Sequence, residues 1–394
     1  MGSSCVQPGF AFPRIPHPMD GFVMKDPDIN RRTLLKGMAA ASLALAGLCM
    51  GRVALLDGAS TVAGVSLGVA HEWGTLNEAV VGSPYVKIPE NLSPEVRRWF
   101  PRKWQAFFGA HAGKTLAEAD PAFYRRMDRQ MTAVMKVLTD RGVTVHRAPE
   151  MTRVELEYMD SAFPACGSQL YPRDPLLTVG DRFIETELLF PFRRRERFGI
   201  RRALDRRFAQ AKMARVSMPP LVPPPVYGRG TAPWGRGAVL EGGDVLVLGR
   251  DILVGLSGNA SNPEGVRWLA EYLGAGYRVH GVRLSPHVLH LDCCLSIPKE
   301  GLAVVYPEAF PDGLPQCLRG WETVGVSAAE ALEGFACNGL ILDEKALILT
   351  AGVPRVADSL RAAGQEVMEV PFDAVTFFGG SLRCWHQALA RESA

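Results

Sequence analysis

From Val69 onward, the 394-residue chain predicts an α/β fold made of a repeated hairpin-and-helix unit that closes around an axis. Three observations predict it. Apolar runs broken by short polar turns recur as hairpins, helices opened by a capping residue and proline recur between them, and each helix stops at a glycine before another extended run. Units of this kind cannot bury their apolar faces alone, so they pack on one another and a ring covers them all.

The helices come first. Asp120-Pro121 opens one whose Phe123, Met127, Met131, Val134 and Leu138 line a single face, and Gly142 ends it before the strand at residues 143–145. Asn262-Pro263 repeats the device with Val266, Leu269, Ala270 and Leu273, stopping at Gly274 before a strand near residues 277–282. A third copy runs from Pro354 through Leu360 to Gly364, and residues 367–370 are extended. The hairpins fall at residues 176–184, 245–254 and 340–349. Residues 218–236, rich in proline and carrying Trp234, interrupt the pattern as a long loop of the kind that often serves as a lid.

Composition bounds the class. Hydrophobic residues make up 47% and charged residues 22%, which excludes disordered and collagen-like chains. A net charge of +3 gives no global field for nucleic acid or an anionic membrane. The basic residues Arg193, Arg194, Arg195, Arg197, Arg201, Arg202, Arg206 and Arg207 cluster in one helical segment, which reads as a solvated face beside acidic neighbours. Eight cysteines with no C-x-x-C pair support neither a disulfide scaffold nor a zinc or redox motif. Cys293 and Cys294 read as part of a buried strand. No metal or organic cofactor is expected.

Residues 30–50 pair Arg31 and Arg32 with an apolar, Ala/Leu-rich run too short for a membrane span, and so resemble a twin-arginine export signal. Cys49 follows Leu48 and is a poor lipidation site. We therefore expect residues 1–58 to be a tail and signal segment, residues 69–394 to be a single catalytic domain, and the product to be periplasmic if the signal operates and cytoplasmic otherwise. No stable membrane association is expected after cleavage, and a homodimer is a possible assembly.

Four short segments set ionisable residues beside turns at the ends of apolar strands. They are Arg173-Asp174 after Pro172, Glu241-Gly242-Gly243-Asp244, His290-Leu291-Asp292, and Gly379-Gly380-Ser381-Leu382-Arg383-Cys384. Glycine pairs permit turns and close approach that other residues forbid. His290 and Asp292 share a parity and would face one side of a strand. A nucleophile, a base and several carboxylates are together the inventory for covalent catalysis on a cation.

In this order and at these spacings, the four segments resemble the guanidino-group-modifying, or pentein, superfamily, across residues 70–394. The resemblance implies a five-bladed α/β propeller of pseudo-repeated ββαβ units. It makes Cys384 the nucleophile and His290 the general acid/base, has Asp174 and Glu241 clasp the guanidinium, and sets Asp292 beside His290. Asp244 and Arg173 are candidate substrate-binding residues in the same segments. The chemistry agrees, because a guanidinium carbon is a poor electrophile that must be held by acceptor-only carboxylates while a thiolate attacks and an acid protonates the departing nitrogen.

His71-Glu72-Trp73, the run 77–82, the 342–345 turn and Trp385 resemble the glycine and inosamine-phosphate amidinotransferases, which pass an amidino group from a guanidino donor such as arginine to an amine acceptor. Hydrolytic relatives of the arginine deiminase or dimethylargininase type use water instead, and the stretches at 290–294 and 306–310 resemble those. Two positions differ from the glycine enzymes: Ala336-Cys337-Asn338 replaces a serine before Met-Asn, and Ala309 replaces an arginine. In that family both residues hold the donor's α-carboxylate, so an arginine among residues 193–197 would have to substitute.

Overall fold

Each helix named above opens at its proline, and in two of the three a side chain caps the preceding position. Asp120 Oδ1 accepts from the backbone N–H of Ala122 and Phe123, and Pro121 occupies the first turn of the helix Pro121–Asp140. Met127, Met131, Val134 and Leu138 are fully buried on one face, each burial contributing about 1.5–3 kcal/mol. Asn262 Oδ1 accepts from Gly265 N at the start of the helix Pro263–Leu273. Pro354–Ala362 buries Val356, Ala357 and Leu360.

The molecule was analysed as a computed structural model that describes residues 66–88, 90, 102–160, 168–190, 193–194, 196–211, 213–222 and 235–392. The twin-arginine segment, Cys49, Arg195 and most of the proline-rich loop with Trp234 lie outside the described residues. Residues 63–394 form one compact unit.

Among the described residues, the strands form five three-stranded sheets. The first strands of four hairpins are β3 (Leu176–Val179), β6 (Val245–Leu248), β9 (Leu295–Lys299) and β12 (Leu340–Asp343). Each pairs antiparallel with the next strand, namely β4 (Arg182–Glu185), β7 (Asp251–Leu256), β10 (Leu302–Val305) and β13 (Ala346–Thr350). A crossover then brings a third strand parallel to the second: β5 (Ala214–Ser217), β8 (Arg278–Arg283), β11 (Glu322–Gly325) and β14 (Glu366–Val370). The fifth sheet repeats the pattern across the chain's two ends. The C-terminal strand β15 (His386–Arg391) pairs antiparallel with β1 (Leu76–Val81), which pairs parallel with β2 (Thr144–Arg147).

Neighbouring sheets meet through these first strands: β15 touches β3, β1 touches β12, and β12 touches β9. Leu177 and Val179 of β3 share an apolar cluster with Val245 and Val247 of β6. The strand β9 and the β15–β1 pairing were not legible as elements in the sequence. Cys293 and Cys294, read as part of a strand, instead end a single 3-10 turn, Leu291–Cys293, that precedes β9.

The arginine-rich segment around the helix Glu196–Gln210 has the acidic neighbours expected of it but is not a solvated face, because Arg193, Arg194, Arg197 and Arg207 are largely buried against those acids and Arg193 lines the cavity described below. Arg194 and Arg197 pair with Glu187, Arg201 with Glu185, Arg202 with Glu155 and Arg207 with Glu78. Such pairs neutralise one another and leave little field for a polyanion.

Candidate active site

Every functional side chain stands just before the first strand of a sheet. Asp174 precedes β3, Glu241 and Asp244 precede β6, His290 and Asp292 precede β9, Asn338 precedes β12 and Cys384 precedes β15. Because the five sheets repeat one pattern, these entries meet at one place, and their side chains bond one another across the gaps between sheets.

His290 is buried, with Nε2 2.8 Å from Glu241 Oε2. Glu241 Oε1 accepts from Leu189 N at 2.9 Å. Both carboxylate oxygens are thus engaged, and Glu241 orients the imidazole rather than clasping a substrate as the resemblance implied. His290 Nδ1 lies 3.8 Å from Asp174 Oδ1. This packing requires glycine at 243, where a Cβ would sit 2.6 Å from His290 Nδ1 and 2.9 Å from Asp174 Oδ1. Burial alone would drive the His290 pKa down, but the charge of Asp174 and the bond to Glu241 outweigh it and raise the pKa to about 10. The imidazole is therefore a cation at neutral pH.

Cys384 is held from three sides. Asn338 Nδ2 donates to Cys384 Sγ at 3.2 Å, and Asn338 Oδ1 accepts from the backbone N–H of Arg383 and Cys384 at 3.1 and 3.2 Å. Asp292 Oδ2 lies 3.6 Å from the sulfur. Burial, reinforced by the charges of Asp292 and Asp174, pushes the Cys384 thiol well above its usual range. A cation placed beside the sulfur would favour loss of its proton.

Asp174, Cys384 and His290 share the wall of one cavity of about 310 Å³. Asp174 Oδ2 accepts from Arg193 Nη2 at 2.9 Å, and Arg193 also donates to Glu196 at 3.0 Å. Asp174 Oδ1 is buried with no hydrogen-bond partner among the described residues, the His290 Nδ1 at 3.8 Å lying beyond hydrogen-bond range. A carboxylate oxygen in that state is a standing penalty that a planar N–H donor would relieve.

Three expectations are corrected. Arg173 does not reach the cavity: its Nε bonds Arg383 O at 3.4 Å and its Nη2 meets His386 Nε2 at 3.4 Å, so it braces the turn that carries the nucleophile. Asp244 accepts from Ser261 N and Leu291 N at 3.1 and 3.0 Å and so fixes the turn bearing His290; burial pushes its pKa up to about 7. Asp292 does not share a strand face with His290. It lies in the 3-10 turn Leu291–Cys293, where it pairs with Arg383 Nη1 at 3.0 Å and stands beside the sulfur.

Residues 102–327 match the family model of arginine deiminase. The chain belongs to the arginine deiminase family. The L-arginine:L-lysine amidinotransferase of Pseudomonas savastanoi pv. phaseolicola is 24% identical over 79% of this chain and 91% of that one. A putative inosamine-phosphate amidinotransferase of Streptomyces griseus is 29% identical over 68% and 78%. The fold is shared with an amidinotransferase of Microseira wollei from saxitoxin biosynthesis, at a TM-score of 0.68, 22% identity and coverage of 83% and 98%. The chain is thus an enzyme of the guanidino-modifying superfamily, as its motifs led us to expect.

Within this family member, Asn338 and Arg383 were not selected from the sequence as site residues. Offset would have found Asn338, since Asp174, Asn338 and Cys384 each stand two residues before a first strand. Replacing Asn338 by Ala removes a donor to sulfur worth about 1.5–3 kcal/mol when the acceptor is charged. A 10- to 100-fold fall in kcat/KM is expected, with slower alkylation of Cys384 by iodoacetamide near neutral pH. An unchanged alkylation rate would show that the bond does not hold the thiolate.

Asp174, Glu241 and His290 are the one group among the described residues whose donor atoms, within 4.8 Å of one another, could hold a metal ion. Glu241 is already spent on His290 and Leu189, and the Arg193 guanidinium lies among the acids, which suits the cluster to an organic cation. The raised His290 pKa sets a pH dependence. A raised basic group stabilises the fold fully below its ordinary value near 6.5, and that share is lost as pH climbs through about 10. Activity that needs the imidazolium is expected to fall over the same upper range. Glu241→Gln removes a charge that raises the pKa, so the alkaline limb of kcat/KM should move to lower pH; a limb that stays in place would assign it to another group.

Proposed function

We propose that the protein is an amidinotransferase working through a covalent Cys384 S-amidino intermediate. The observation that carries this reading is the unpartnered Asp174 Oδ1, buried in the cavity that Cys384 and the imidazolium of His290 also line. An acceptor-only oxygen selects a cation, and the neighbouring sulfur and acid supply what a guanidinium carbon needs.

The donor's guanidinium, that of arginine or an analogue, places an N–H on Asp174 and its carbon against Cys384 Sγ. The cation favours loss of the thiol proton. Sulfur then bonds to carbon, the C–N bond to the donor's body breaks, and His290 Nδ1 gives its proton to the departing nitrogen. The thiol proton leaves to solvent, and His290 regains its own from the acceptor in the second half of the reaction. An acceptor amine reverses the steps and leaves with the amidino group. The five sheets, four with an α-helix in the crossover and one, β9–β11, crossing over through 3-10 turns, are read as blades of an α/β propeller, with the β15–β1 pairing as its closure.

Water as acceptor would make the protein a hydrolase, the reaction for which its family model is named. Incubation with arginine and a panel of amines, following ornithine, citrulline and ammonia, decides between them. Ornithine formed only with an amine present is the expected result. Citrulline with ammonia and no amine dependence would make water the acceptor.

A further inference from the structure

The cavity that Cys384 lines has two chemically different sets of wall residues. One set is the sulfur, His290 and Asp174, with Arg193 and Glu196. The other is apolar and includes Val86, Trp104, Phe108, Phe190, Leu289 and Phe378. Trp104 and Phe108 come from the helix Arg102–Ala110 and lie one turn apart, so both rings face the same way. Their centroids are 6.4 Å apart, Trp104 is 6.3 Å from Phe378, and Phe108 stacks on Phe378 at 6.4 Å.

This wall is built into the approach to the nucleophile. Gly379, at φ +88°, would place a Cβ 2.5 Å from the Trp104 ring, so the loop that delivers Cys384 leaves room for the indole. Charge on the aromatic wall is sparse among the described residues. The ionisable groups there are Lys87, whose Nζ donates to Gly113 O, and the exposed His287. Among the described residues two carboxylates line the cavity, Asp174 and Glu196, and both are engaged by Arg193. Once Asp174 takes the reacting group, no acid among the described lining residues remains for a second ammonium, and a carboxylate pressed against the three aromatic rings would lose its hydration.

We propose that the amine discharging the Cys384 adduct is a primary amine on an uncharged apolar body, an alkylamine or arylalkylamine. The proposal rests on the amidinotransferase reading. The amine nitrogen bonds to the amidino carbon, one amine proton passes to His290 Nδ1 and restores the imidazolium, and the C–S bond breaks to release the Cys384 thiolate, which regains its proton from solvent. Products are the apolar guanidine and free Cys384. The amine's body lies on Trp104, Phe108 and Phe378, where apolar area leaves water at about 25 cal/mol per Å².

The test separates the adduct from its discharge. The full-length enzyme is incubated with methylguanidine, arginine and 2-phenylethylguanidine, and intact mass reports the gain of one amidino group on Cys384. The loaded enzyme is then mixed with 2-phenylethylamine, hexylamine, glycine or lysine at equal concentration, and product formation is timed. Discharge by the two apolar amines at least about tenfold faster than by glycine or lysine is expected, the range that a fitted apolar pocket supplies. Trp104→Ala and, independently, Phe108→Ala should bring that ratio towards one. Loading followed by equal or faster discharge with glycine or lysine overturns the proposal and leaves the amidinotransferase reading intact. Loading followed by discharge to water alone overturns the transfer, and no loading from any guanidine overturns both.

Discussion

The Cys384→Ala protein is expected to fold and melt like the wild type and to lose at least about 10⁴-fold in turnover of any guanidino donor. The two outcomes follow from different parts of the site. Cys384 lies in a turn whose backbone N–H bonds go to the side chain of Asn338, and truncation to Ala leaves those bonds in place. Only the sulfur is lost, and with it the atom that accepts the amidino group. Cys293, which also lines the cavity, bonds the other oxygen of Asp292, 3.8 Å from Oδ1, and is not the sulfur that Asn338 holds. Steady-state assay together with intact mass checks this. Turnover within about a hundredfold of wild type would sink the covalent mechanism, since residual catalysis by positioning alone is smaller than that.

The second large effect is on stability. Arg383 is 2% exposed and makes four bonds under the nucleophile: to Glu72 Oε1 and Oε2 at 3.0 and 3.3 Å, Asp292 Oδ2 at 3.0 Å and Val245 O at 2.8 Å. Burial would lower its pKa, but the charges of Glu72 and Asp292 overcome burial and raise it, so it stays a cation. Replacing it with Met leaves two buried carboxylates without their partner, a loss of about 3–5 kcal/mol. Burial would raise the Glu72 pKa, yet the charge of Arg383, followed by that of Arg173, holds it below the usual carboxylate range. A lowered acid stabilises the fold above its ordinary value near 4.5 and loses that share as pH falls through its folded value. The gap between Arg383→Met and wild type should therefore narrow in acid. Urea unfolding at pH 7 and pH 4 measures both. A neutral-pH loss under about 1 kcal/mol, the range of an exposed pair, would show the network to be ornamental.

Glu72 reaches Arg383 because the segment before β1 crosses other sheets. Val69 bonds Gly180, and Glu72 N donates to Val247 O at 2.9 Å, with His71 stacked on Trp73 at 4.6 Å. The sequence singled out His71-Glu72-Trp73 by resemblance but gave no reason for it. The reason is a contact 311 residues away in the chain. Glu241 is a similar case: an acid beside two glycines reads equally as a substrate ligand or a prop, and only its bonds to His290 and Leu189 decide.

The sequence by itself determined where the helices and the hairpins at 176, 245 and 340 fall and the order of the four motifs that carry Asp174, Glu241, His290 and Cys384. These are local facts, written in periodicity, turn chemistry and spacing. Tertiary structure alone decided which acids face the cavity, that Asn338 and Arg383 hold the turn of Cys384, and that the chain's two ends pair as β15 and β1. Each of those depends on residues far apart in sequence brought within hydrogen-bond reach. No local pattern encodes them, because the partners that fix them belong to other sheets.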